Sequence, residues 1–103
     1  MTKNSNIKIC EDDVSLVLKD SKYDQQQFID NARCILDFIV VRINVAMYRK
    51  LESITIPVEV YVNPGDITDA KYVYRMAMLV TICLIRADYK IVINDNCSIL
   101  LYI

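Results

Sequence analysis

Ile54-Thr55-Ile56-Pro57-Val58-Glu59-Val60-Tyr61-Val62 alternates without a break. Ile54, Ile56, Val58, Val60 and Val62 fall on one side, and Thr55, Pro57, Glu59 and Tyr61 on the other. A period of two in branched aliphatic residues predicts a strand buried on one face and wet on the other. Pro57 carries no N–H, so the strand must lie at a sheet edge or bulge at that point. Long helical patterns precede and follow it, so the strand falls between two helices in the order of the chain.

Upstream, Phe28, Ala32, Ile35, Leu36, Ile39, Ile43, Ala46 and Met47 recur at three- and four-residue intervals, with no Pro or Gly before Leu51. Ser21-Lys22-Tyr23-Asp24 has the spacing of an N-cap with a carboxylate at N3. A second apolar set, Ile29, Phe38, Val40, Val41 and Val45, widens the buried arc, and Asp30, Arg33, Asp37, Arg42 and Asn44 mark the wet side. From Tyr23 to Leu51 this helix would run ~40 Å at 1.5 Å per residue. A compact domain of this size is only about 35 Å across. Either the helix breaks or one end projects into a dimer contact. Arg33 and Asp37 at i,i+4, with Asp30 a turn earlier, read as a surface ion-pair ladder, or as a register device if the helix is buried in a dimer.

Downstream, Asn63-Pro64-Gly65 is a turn by composition, and Asp66, with Asp69 three residues on, caps a second helix reaching about Asp88. Val73, Met76, Ala77, Val80, Cys83 and Leu84 form its core-facing set. Tyr74, Met78, Ile82 and Ile85 lie off that stripe beside Lys71, Arg75 and Arg86, so this helix is apolar nearly all round.

At the start, Ile7-Lys8-Ile9-Cys10 and Val14-Ser15-Leu16-Val17-Leu18 read as two short strands around an acidic Glu11-Asp12-Asp13 turn, with a short helix over 12–19 competing. At the other end, Tyr89–Ile93 and Cys97–Ile103 flank Asn94-Asp95-Asn96 as a hairpin. The expected order is β-β-α-β-α-β-β over a single domain, residues 1–103. The fold class is α/β (α+β): a two-layer sandwich with two helices on one face of a small mixed sheet of four to five strands.

Composition narrows the chemistry. The 103 residues contain no His, no Trp and a single Gly, while 54% are hydrophobic. Without His, a Ser–His or Cys–His pair and any His-ligated metal are ruled out. A phosphate-cradling loop needs several glycines, and Gly65 stands alone. Lys plus Arg number 12 and Asp plus Glu 13, for a net charge of −1. Such balance lacks the basic footprint of a nucleic-acid binder. No secretory signal opens the sequence, and the most apolar window, Met76 to Ile85, is far shorter than the ~20 residues a membrane span requires. A cytoplasmic location, with no membrane, cofactor or metal, is expected. Cys10, Cys34, Cys83 and Cys97 show no C-x-x-C spacing and read as buried free thiols, a Cys10–Cys97 pair being the alternative. Glu11-Asp12-Asp13 reads as a solvated turn rather than a calcium loop.

Apolar surplus on so small a chain implies a second surface to cover it. Tyr74, Arg75, Met78, Ile82 and Ile85 form the best candidate contact patch among the seven tyrosines' surroundings. The reading is a non-catalytic protein-interaction module that self-associates, as a homodimer or higher oligomer, and covers a surface of a larger protein. Size and an Ile/Asn/Lys-rich composition suit a viral or mobile-element inhibitor of a host enzyme. The alternatives are a purely structural homo-oligomeric subunit, and a small enzyme or ligand-binding domain using carboxylates and Tyr at the carboxyl ends of parallel strands.

Overall fold

Pro57 ends the strand that it was expected to sit within. The computed structural model describes residues 7–19, 21–61 and 70–103. In chain order the elements are α1 (Glu11–Val17), α2 (Gln25–Tyr48), β1 (Ser53–Ile56), a 3-10 turn (Val58–Tyr61), α3 (Ala70–Arg86), β2 (Lys90–Ile93) and β3 (Ile99–Tyr102). Proline's fixed φ and missing N–H suit the start of a helical turn, and Val60 N–H donates to the Pro57 carbonyl at 3.2 Å. The turn swings Tyr61 inward, where it is buried instead of sharing the wet face with Thr55 and Glu59. Val62 and the Asn63–Asp69 turn and cap lie outside the described residues.

The protein is a small α+β fold with a three-stranded antiparallel sheet in the order β1-β3-β2. The expected order and the four to five strands need correcting on two counts. Among the described residues the N-terminal pair of strands is absent, and the competing short helix stands there as α1. Val14 and Val17, three apart, are buried on one side of α1, and Glu11, Asp12 and Asp13 occupy its first turn, where carboxylates favour the positive end of the helix dipole. The sheet is also not mixed. The β2–β3 hairpin inserts β3 between β1 and β2, so the two strands joined through α3 share a direction without pairing. The strand β1 is an edge strand, and Pro57 lies just past its end rather than within it.

Alternation then separates the faces. Ile54, Ile56, Ile99 and Leu101 point into the core with Ile91 half-buried beside them, while Thr55, Tyr102, Lys90 and Val92 stay exposed. Both α2 and α3 pack on the buried face, α2 against β1 and α3 against β2, and α1 lies on α3. The buried residues form one cluster centred on Ile39, Ile43, Ile56, Leu79, Val80, Leu84 and Leu101. The radius of gyration is 13.3 Å and the longest extent 41 Å, and α2 runs unbroken for 24 residues, ~36 Å.

Caps set the helix limits. Asp24, not Ser21, caps α2: its carboxylate accepts from Gln27 N–H at 2.9 Å, with Gln at N3 in place of the expected carboxylate. Both long helices end in Schellman motifs without glycine. After α2, Leu51 N–H reaches the Ala46 carbonyl at 2.8 Å and Lys50 N–H the Met47 carbonyl at 3.1 Å, with Lys50 at φ 60°. After α3, Tyr89 N–H reaches Leu84 and Asp88 N–H reaches Ile85, with Asp88 at φ 71°. The hairpin repeats the pattern. Asn94 pairs with both Cys97 and Ser98 through the backbone, and Cys97 takes the left-handed bulge position at φ 69°. Lys50→Gly and Asp88→Gly should each raise unfolding stability by roughly 0.5–1 kcal/mol, because only glycine holds a left-handed φ without a Cβ clash. Denaturant titration checks this, and a loss at either position contradicts the motif.

Candidate interaction surface

Helix α2 is apolar on two opposite sides. Phe28, Ala32, Ile35, Leu36, Ile39, Ile43 and Ala46 are buried against α3 and β1. At 100° per residue, Cys34, Phe38, Val41, Val45 and Tyr48 line a second stripe about 150° away. All five are exposed, Phe38 by 44%, Val41 by 59%, Val45 by 45% and Tyr48 by 90%. The second apolar set was expected to deepen burial. Instead Phe38, Val41 and Val45 face outward, because one sheet and one neighbouring helix can cover only one side of a cylinder. Arg42 lies over the Phe38 ring at 5.8 Å to its centroid. The Arg33–Asp37 ladder does not form: no ion pair joins those residues, and Asp30 accepts from Gln26 Nε2 at 3.0 Å. Arg33 and Asp37 both line a hollow between α2 and residues Ile7–Ile9.

The patch foreseen on α3 is split. Tyr74 and Ile85 are both 56% exposed, whereas Met78 and Ile82 are half-buried and packed against the core. Arg75 is occupied: its guanidinium donates to the Val17 carbonyl and, at 3.3 Å, to the Lys19 carbonyl, a cation at the carbonyl end of α1. This contact brings α1 over the side of α3 and opens a groove of about 550 Å³ lined by Leu16, Lys71, Tyr74, Arg75 and Met78. Leu16, which the sequence reading placed in a strand, is exposed at its rim.

A second clamp fixes the other end of α1. Asp13 is only 4% exposed, and both its carboxylate oxygens accept from Arg86, Nε at 2.8 Å and Nη2 at 2.9 Å. The acidic run is therefore not a solvated turn at Asp13. It is the inward-facing half of a bidentate pair, which a strand reading could not anticipate because Asp13 and Arg86 are 73 positions apart. Among the described residues no group of three or more His, Cys, Asp or Glu is placed to hold a metal ion, and no helix is long and apolar enough to cross a membrane.

The thiols are free as expected but differ from expectation in burial. All four cysteines are free, with Cys10 and Cys34 exposed, Cys97 half-buried and only Cys83 in the core. Burial, helped by the negative charge of Asp13, pushes the Cys83 thiol up to about 11. Burial raises Tyr61 and Tyr89 above the ordinary tyrosine value as well. Each of these groups is neutral when folded and ionises sooner when unfolded. Their contribution is complete below pH 9, the ordinary thiol value, and is lost as pH climbs toward the raised values. The denaturation midpoint should therefore fall between pH 9 and 11. A midpoint that stays level there would show these groups to be hydrated.

No family model matches the chain, and comparisons with curated proteins and with solved structures find no match. The class defined by fold and surface is a small α+β protein with apolar faces left open on two of its helices.

Proposed function

We propose that this protein is a non-catalytic interaction module that self-associates and covers part of the surface of a larger protein. The supporting observation is the outer stripe of α2, a line of exposed apolar side chains on a helix whose other side is already packed. Exposed contiguous apolar surface on a small protein marks a contact site. The groove beside Leu16, Tyr74 and Met78 lies on a different pair of helices, and it favours a foreign partner over a purely structural subunit, which would need the α2 stripe alone. In its finer form the reading is an inhibitor that occupies an enzyme's surface, the role that size and composition suit.

Sedimentation of the purified full chain over a concentration series tests the reading, with association expected at tens of micromolar. A strict monomer there would sink it. Because Met78 and Ile82 support the core, the surface variants to use on α3 are Tyr74→Asp and Ile85→Asp, which should keep the folded circular dichroism spectrum.

A further inference from the structure

We propose that two copies of this chain pair through the outer face of α2, the helices lying side by side, parallel and in register, as a short two-stranded coiled coil. The inference rests on the self-association reading and names its partner as a second copy.

Spacing is the first support. Cys34, Phe38, Val41, Val45 and Tyr48 follow one another at intervals of four, three, four and three, the heptad rhythm of a helix seam. A seam needs its helices about 8–10 Å apart, so nothing can stand proud of it, and all five side chains are exposed. The stripe covers only about 21 Å at 1.5 Å per residue, too short for isolated helices to associate well. Here the opposite face of α2 already holds the helix folded, so pairing need not also form it.

Charge is the second support, and it selects both partner and orientation. Asp30, Asp37 and Asn44 border the stripe on one side, and Arg42 and Arg49 on the other. Asp37, Arg42 and Arg49 make no ion pair within the protomer. In a parallel, in-register pair each border meets the opposite border of the mate five residues further on. Asp37 then faces Arg42 of the second copy, and Asn44 faces Arg49, each contact occurring twice about the two-fold axis. An antiparallel pair centred on Val41 would set Arg42 against Arg42 and leave Asp37 without a cation. Exposed pairs of this kind add little affinity, but they penalise the wrong alignment. A helix carrying both borders is complementary to itself.

The test uses the full chain with Cys10→Ser and Cys97→Ser, leaving Cys34 and the buried Cys83. Diamide oxidises two facing thiols to a disulfide and is itself reduced to the hydrazine. Parallel pairing predicts a Cys34–Cys34 dimer on a non-reducing gel, and a Cys34→Ser, Tyr48→Cys version should cross-link to itself equally well. Antiparallel pairing predicts cross-linking only when the two versions are mixed, and that result would overturn the proposal. Val41→Glu should raise the dimer dissociation constant by more than about tenfold, since it sets two carboxylates in the seam. Asp37→Arg should weaken the dimer and Asp37→Arg with Arg42→Asp should restore it. A dimer that survives Val41→Glu overturns this interface while leaving self-association intact. A wild-type monomer at tens of micromolar overturns both.

Discussion

Phe28→Ala is expected to lose about 3–5 kcal/mol of stability, the usual range for emptying a fully packed ring site. Phe28 is buried at the start of α2 and meets the Tyr72 ring of α3 edge-on, with centroids 5.5 Å apart and planes at 78°. Tyr72 also meets Tyr23 edge-on at 5.2 Å, and its hydroxyl accepts from Asn31 Nδ2 at 2.6 Å. Removing Phe28 therefore empties the joint that sets the first turns of two helices against each other. Domains of this size have about 5–15 kcal/mol in all, and each kcal/mol shifts Tm by roughly 4–8 °C. Thermal unfolding should drop by more than about 12 °C. Leu16→Ala, at a position 65% exposed on α1, should change stability by less than about 0.5 kcal/mol. Equal losses at the two sites would contradict the packing described.

Arg86→Ala should release α1. Seven residues are too few for a helix to persist without tertiary support, so α1 depends on Val14, Val17 and the Asp13–Arg86 pair. Without the guanidinium, the Asp13 carboxylate is buried with no cation. That stranded charge, more than the missing bond, drives the loss. Asp13→Asn combined with Arg86→Ala should be more stable than Arg86→Ala alone, because the amide removes the charge. Amide hydrogen exchange should show α1 opening while α2 stays protected. A double variant no better than the single one would mean that the pair carries no charge-specific role.

Period and turn chemistry made much of this architecture legible. The core face of α2 was readable from Phe28 to Ala46 because a 24-residue helix repeats its pattern many times over. The C-terminal hairpin was readable from Asn94-Asp95-Asn96, whereas Pro57, read as marking an edge or a bulge within the strand, lies just past its end. Short segments failed where two periods fit the same residues. Val14, Val17 and Leu18 suit a helical face as well as a broken alternation, and the deciding contact, Arg86, is remote in sequence. Val58–Tyr61 failed differently: the alternation continues through Pro57, but the backbone after it closes into a 3-10 turn. On α2 three residues of the outer stripe, Phe38, Val41 and Val45, were visible as apolar, and Cys34 and Tyr48 were not grouped with them. The exposure of the stripe was not legible, since it depends on how many neighbours the fold supplies, and a sequence pattern marks apolar faces without counting what covers them.

The central position of β3 bears on how the chain can be made. Until Tyr102 has cleared the ribosome, β1 and β2 have no hydrogen-bonded neighbour, although the helices that will cover them are already synthesised. A nascent chain can gather α2 against α3 early, yet its sheet closes only when the last strand slides between two waiting edges. Such late, long-range closure is slow, and it leaves the backbone edges of β1 and β2 unpaired until β3 arrives, open to aggregation or to a chaperone's grip.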